Sequence, residues 1–204
     1  MEVKERILDA ALKMFRTYGM KSVTMFDIAR DCGISKKTVY EHFTDKQGLV
    51  KESMQFMLDE QLETYRVCQE SAQNAIEELI NGLKSIEWLA KTVNPVMLYE
   101  VEKYHPETWK AVQEFKQDGV LRNIKENLKR GIAEGLYRND LKIDIVARMR
   151  QLQLESAFDP AQYPADQFNL HEVMYQVSAH YILGIATLKG HKLVNQYLQI
   201  NETD

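Results

Sequence analysis

An all-helical fold is what the sequence predicts, with nine or ten helices, and three observations carry that expectation. Apolar residues recur at steps of three, four and seven through most of the chain, the period of one buried helix face. Cap residues stand where these runs begin, and Gly or Pro where they end. No apolar–polar alternation lasts long enough to make a strand, and no internal repeat or low-complexity stretch appears.

Taken in order, Val3 to Tyr18 makes the first helix. Ile7, Leu8, Ala11, Met14, Phe15 and Tyr18 share one stripe, and Gly19 closes it. Thr24 and Asp27 form a capping box ahead of a short second helix. Val23 and Ile28 sit at the two positions of a hydrophobic staple, and Gly33 supplies the left-handed stop. The start signal repeats at Ser35, with Ile34 and Val39 as the staple and Val39 and Phe43 on one face of a helix over Lys36–Phe43. Asp45 caps a longer helix from Lys46 to about Tyr65, striped by Leu49, Val50, Met54, Met57, Leu58, Leu62 and Tyr65. Leu49 is expected to anchor it to the first three helices, and Leu58 and Leu62 to pack in the larger part that follows. Residues 72–93 place Ala75, Ile76, Leu79, Leu83, Ile86 and Leu89 inside. Pro95 opens a shorter helix, and Pro106 a long one running to about Glu134, where Gly135 ends it. A helix over 143–157 precedes a loop over 158–167 that holds Pro160 and Pro164. Asn169 and Glu172 cap a helix through Leu188; Gly190 stops it before a short last helix.

Two short capped helices joined by a glycine turn make a helix-turn-helix. The second turns Lys36, Lys37, Thr38, Tyr40 and His42 outward. Cations, hydroxyls and a phenol near a helix N-terminus are what phosphates and base edges need. A helical corner with a solvated basic face shows the same local pattern, so the corner alone leaves both readings open.

The wider pattern narrows them. Phe15, Gly19, Thr24, Ile28-Ala29, Gly33-Ile34-Ser35, Thr38-Val39-Tyr40, His42-Phe43, Lys46 and Leu49 stand in an order and spacing that resembles the TetR family of bacterial transcriptional regulators. The resemblance covers the first part of the chain. Gln47 replaces the acid usual after the lysine, and Cys32 fills a small apolar slot more often held by alanine. Neither lies on the reading face. The resemblance implies a DNA-binding domain over 1–46 and a helical regulatory domain over 47–204 that binds a small-molecule effector and dimerises. It also implies sequence-specific binding of double-stranded operator DNA by a homodimer, most often as a repressor. Thr24, Tyr40, His42 and Lys46 go mainly to phosphates, supplemented by Ser35, Lys36 and Thr38. Lys37, in the first turn of the reading helix, is the first choice for a base contact.

The net charge of −4 looks wrong for a nucleic-acid partner until the chain is split. Residues 1–46 carry nine Lys/Arg against seven Asp/Glu, a charge of +2, and the remainder carries −6. Two cysteines are too few for a disulfide framework, the N-terminus MEVKERILDA is an amphipathic helix rather than a leader, and no apolar run is long enough to span a membrane. A cytoplasmic protein with no membrane partner is expected. Glu102 and His105 have the i, i+3 spacing of di-metal bundles without a second copy, and no nucleophile elbow or phosphate loop is present. No catalysis, metal or cofactor is expected.

The regulatory part offers weaker signals. Trp88, Met97, Tyr104, Trp109, Phe115, Met149 and Phe158 are candidates to line an effector pocket, although aromatics at helical spacing are more often core. For the dimer, the family places its last two long helices together, here roughly 143–157 and 169–188. Met149, Leu152, Ser178, Ala179, Ile182 and Gly184 are the candidates, since small residues let two helices approach closely. A regulator answering to a small molecule and a DNA-organising module without one both remain open. A change of DNA affinity on ligand addition separates them.

Overall fold

In the computed structural model, residues 2–92, 95–159, 161–164 and 166–198 are described, without the side chains of 86–96. Ile86, Trp88 and Leu89, named above, therefore lie outside the described side chains, as does Pro160. The described residues form α1 (Val3–Tyr18), α2 (Met25–Asp31), α3 (Lys36–His42), α4 (Lys46–Ser71), α5 (Ala75–Thr92), α6 (Pro95–Tyr104), α7 (Pro106–Glu114), α8 (Leu121–Ala133), α9 (Ile143–Ala157), α10 (Leu170–Ile185) and α11 (Leu188–Leu198). They divide into two compact units: 1–62 with 92–115, and 63–91 with 116–204.

The first unit is built on α1. Ile7, Leu8, Ala11 and Phe15 are buried as the periodicity requires, joined by Ala10 and Leu12, while Tyr18 at the end of the stripe is exposed. Gly19 ends α1 at φ +78, a conformation that costs a side chain strain. Around α1 pack Ile28 and Ala29 of α2, Val39 of α3, and Leu49, Val50, Met54 and Leu58 of α4. Met97 and Val101 of α6 and Val112 of α7 complete this core. Two expectations change here. Leu58 belongs to the core beneath the helix-turn-helix rather than to the larger part, and Leu62 is exposed. α4 also runs six residues beyond Tyr65, since nothing before Ser71 breaks its pattern.

In the second unit, Ala75, Ile76 and Ile80 of α5 pack with Ile124 and Leu128 of α8, Ala147 of α9, Tyr181, Ile182 and Ile185 of α10, and Val194 of α11. Arg130 is its polar knot. It pairs with Glu78 at 2.9 Å and Glu134 at 2.8 Å, and donates to the carbonyls of Gln69 and Ala72 near the end of α4. The rod opened by Pro106 is not uniform: a π-helical turn over Phe115–Val120 separates α7 from α8. Counting that rod once gives ten helices among the described residues, the upper figure expected.

The C-terminal boundary also moves. α10 ends at Ile185, because Ala186 leaves the helix to bridge Tyr137 in an isolated antiparallel pair. Arg138 N–H donates to the Ile185 carbonyl at 2.9 Å, and Thr187 N–H to that of Leu136 at 2.9 Å. Gly190 therefore does not stop a helix. It lies inside α11, where a Cβ would stand 2.3 Å from the Leu136 carbonyl oxygen.

Candidate nucleic-acid interface

The helix-turn-helix is held by its caps. The Thr24 hydroxyl accepts from Asp27 N–H at 3.2 Å, and Thr24 N–H donates back to Asp27 Oδ2 at 3.0 Å. The Thr24 hydroxyl also donates to Asp27 Oδ2 at 2.6 Å, and these two bonds from Thr24, the hydroxyl's first and then the N–H's, hold the Asp27 carboxyl below its ordinary pKa. Ser35 Oγ accepts from Thr38 N–H at 3.0 Å and lies 2.9 Å from the Thr38 hydroxyl. Gly33 turns the chain between them at φ +65, and the Arg6 guanidinium donates to the Cys32 carbonyl at 3.0 Å, fixing the turn to α1.

Val39 and the capping Phe43 bury one side of α3, so its other side must face outward. There Lys36, Lys37, Tyr40 and His42 are exposed. Lys37 is 87% exposed, with Glu41 at 4.0 Å. Such a surface pair is worth at most about 1 kcal/mol, so Lys37 can leave it for a phosphate or a base. The Lys36 ammonium lies 5.6 Å from the Tyr40 ring centre, and the His42 ring stands against Phe43. The structure thus brings Lys36, Lys37, Tyr40 and His42 together on one short helix. Thr24, Ser35 and Thr38 sit at helix starts with their hydroxyls engaged in capping.

Lys46 is placed differently. It is half-buried, its ammonium donates to the Lys21 carbonyl at 3.2 Å, and burial lowers its pKa against the opposing pull of Glu100. Glu100, buried on α6, accepts from the backbone N–H groups of Met20 and Lys21. A carboxylate and a lysine thus clamp the turn between α1 and α2 from two sides. Sequence reasoning missed Glu100, because no local pattern links a residue on α6 to that turn. Glu100→Ala strands two N–H groups, one fully buried, and is expected to destabilise the protein by about 2–3 kcal/mol, read as a lowered midpoint in thermal denaturation.

The pocket candidates do not converge. Met97 is fully buried in the first core, and Trp109 and Phe115 pack against that core. Tyr104 is exposed beside Lys21 and Lys103. Met149 is exposed on α9, and Phe158 packs with Ala157, Val173 and Met174. Helical-period aromatics and methionines fill whichever core is nearest, here two different ones, while Tyr104 and Met149 face outward. An open cavity in the second unit is walled instead by the end of α4 and by α5, α8, α9 and α10, with Arg150 and Tyr181 on its lining.

The dimer candidates separate by face. Met149 and Leu152 are exposed, in line with exposed Ile145 one turn earlier on α9. Gly184 is exposed with open space around it, and Ala179 is half-buried. Ser178 and Ile182 turn inward: Ser178 accepts from Arg150 at 2.8 Å, and Ile182 joins the core. Those two are buried within the protomer, whereas Gly184 is exposed.

A capped helix-turn-helix turning a basic helix outward, on an otherwise helical chain, is the build of a helix-turn-helix transcriptional regulator. Residues 7–53 match the model for the bacterial regulatory proteins of the TetR family. The chain is 30% identical over 146 residues to the HTH-type transcriptional repressor KstR2 of Mycobacterium tuberculosis, across 70% of this chain and 72% of that one. It also matches the repressor AcnR of Corynebacterium diphtheriae at 22% over 175 residues, 84% of this chain and 87% of that one. Among solved structures, a transcriptional regulator from Cytophaga hutchinsonii superposes with a TM-score of 0.71 at 22% identity, over 90% of this chain and 98% of that one. The chain belongs to the TetR family of bacterial regulatory proteins. These relatives are transcriptional regulators, not enzymes, and no helix among the described residues is long and apolar enough to cross a membrane.

Proposed function

We propose that this chain is a dimeric transcriptional repressor that reads a near-palindromic operator with α3 in the major groove and is released by a small molecule bound in the second unit. The functional division is residues 1–46 for reading DNA and 47–204 for regulation and dimerisation. The observation that carries the reading is the exposed face of α3, where two lysines, a tyrosine and a histidine share seven residues whose opposite side is buried. One such helix reads too few base pairs to single out a site, and two on half-sites about one or more helical turns apart multiply the specificity. The repressor names of the relatives support the sign of regulation, and the apolar row Ile145, Met149 and Leu152 on α9 supports the dimer.

Two substitutions test the roles within the interface. Lys37→Ala is expected to cost about 1–3 kcal/mol at one base position and relax specificity there. Lys46→Ala is expected to weaken all sequences alike and flatten the salt dependence by about one unit. Its release from the Lys21 carbonyl sets that ammonium free for a phosphate. Binding of both variants across a randomised site library checks the assignment, and indistinguishable profiles contradict it. The alternative of a DNA-organising module without an effector demands that no ligand of the second unit change operator affinity. An effector must do so, and operator DNA must then weaken ligand binding by the same factor.

A further inference from the structure

The second unit buries a cation that has no ion-paired carboxylate among the described residues. Arg150 of α9 is 6% exposed, and no carboxylate among the described residues forms an ion pair with it. Its guanidinium lies 4.7 Å from the Tyr181 ring centre and donates to Ser178 Oγ at 2.8 Å and the Val177 carbonyl at 3.4 Å, which uses two of five N–H donors. Tyr181 is 7% exposed, and its hydroxyl has no hydrogen-bond partner among the described residues. Burial pushes the guanidinium down to about 10 and the phenol upward, because each has lost its water. A buried charge is normally paired, and a buried hydroxyl normally bonded, because each loses its water on folding.

Both side chains line the same cavity, whose remaining wall is largely apolar, from Leu79, Leu83, Ile124 and Leu154. Glu78 also borders it, but its carboxylate is held at 2.9 Å by Arg130, which Glu134 shares, and forms no ion pair with Arg150. The volume is about 60 Å³. A water-sized group needs roughly 10–15 Å³ on this measure, so the space takes about four to six heavy atoms. We infer that this cavity binds a short-chain organic monocarboxylate, its carboxylate on the Arg150 guanidinium and the Tyr181 hydroxyl and its chain on the leucine and isoleucine wall. The inference rests on the proposed regulatory role of this unit and supplies the chemical class of the effector.

The test uses the full chain and calorimetric titration with acetate, propionate, butyrate, hexanoate and octanoate, each beside its primary amide, and with inorganic phosphate. Propionate or butyrate is expected to bind best, at least about tenfold tighter than its amide and than phosphate, since hydrogen bonds to a charged group carry that much. Tyr181→Phe removes a hydroxyl that makes no bond in the ligand-free protein. It should leave the ligand-free melting temperature unchanged and weaken the acid about tenfold, whereas Arg150→Gln should abolish the preference for acid over amide. Amide binding equal to acid, phosphate equal to acid, no binding by any acid of the series, or an unaltered acid affinity in Tyr181→Phe each overturns the inference. Operator binding, followed in parallel by fluorescence anisotropy, keeps the two readings apart. Release of DNA by a neutral compound but by no acid overturns the carboxylate site and leaves the repressor reading standing. An acid that binds with these preferences yet leaves DNA affinity unchanged upholds the site and defeats its role as effector.

Discussion

Met149→Glu combined with Leu152→Glu is expected to leave a folded monomer that has lost its operator. Ile145, Met149 and Leu152 are 61, 55 and 56% exposed at successive turns of α9, while Ala147, Arg150 and Gln151 on the same helix are buried. The helix is thus divided cleanly into a face that builds the protomer and a face that does not. Covering one such side chain in an interface contributes about 1.5–3 kcal/mol. The double substitution removes two of them from each partner and places four carboxylates near the two-fold axis, where their desolvation is unfavourable as well. Half-sites bound one at a time lose the product of two affinities, so operator binding should fall by more than about a hundredfold. Gly184→Glu on α10 is a second probe: nothing lies within 4 Å of its added Cβ, so the protomer tolerates it and an interface does not. Ser178→Glu, by contrast, strikes the buried Arg150 contact and should disturb folding itself. Sedimentation velocity and anisotropy on a labelled operator read both consequences. A double variant that stays dimeric and binds DNA normally places the interface elsewhere.

Gly131→Ala is expected to destabilise the second unit by about 3 kcal/mol, although alanine is the better helix former by roughly 1 kcal/mol. Gly131 lies in α8, and a Cβ there would fall 2.0 Å from Tyr137 Cδ2 and 2.6 Å from its Cγ. The ring cannot step aside. Tyr137 is 1% exposed, its hydroxyl lies 3.0 Å from both the Ala75 carbonyl and Asn127 Oδ1, and its own N–H donates to the Gly131 carbonyl at 3.0 Å. Overpacking against a ring fixed at both ends outweighs the propensity gain, and the sign of the effect is therefore a loss. In a chain of this size the melting midpoint should drop by roughly 6–12 °C. A midpoint that rises shows that the ring is freer than its hydrogen bonds indicate.

Much of this molecule was legible in order of sequence. The caps at Thr24, Ser35 and Asn169 and the positive-φ stops at Gly19, Gly33 and Gly135 act within three or four residues of themselves, so spacing suffices to locate them. The outward set on α3 follows from one buried valine and helical period. What failed to show were features that depend on which helix lies alongside. Ala186 looked like helix interior until Tyr137 was found opposite it, and Gly190 looked like a stop until the Leu136 carbonyl explained why no side chain fits. Met97, Trp109 and Phe115 looked like pocket residues because an aromatic or methionine at helical spacing is equally fit for a core or a cavity.

By itself, then, the sequence determined the helical class, most helix starts, and the outward residues of α3, because hydrogen-bonded caps and a 3.6-residue period are local physics; the start expected at residue 72 falls instead at Ala75, capped by Asn74. The tertiary structure decided what each buried polar group meets. Glu100 finds the N–H groups of Met20 and Lys21, Arg130 finds Glu78, and Arg150, one turn of pattern like any other, is buried beside Tyr181 with no ion-paired acid among the described residues. Burial of a charge is decided by the neighbours on every side at once, and those neighbours come from helices far apart in the chain.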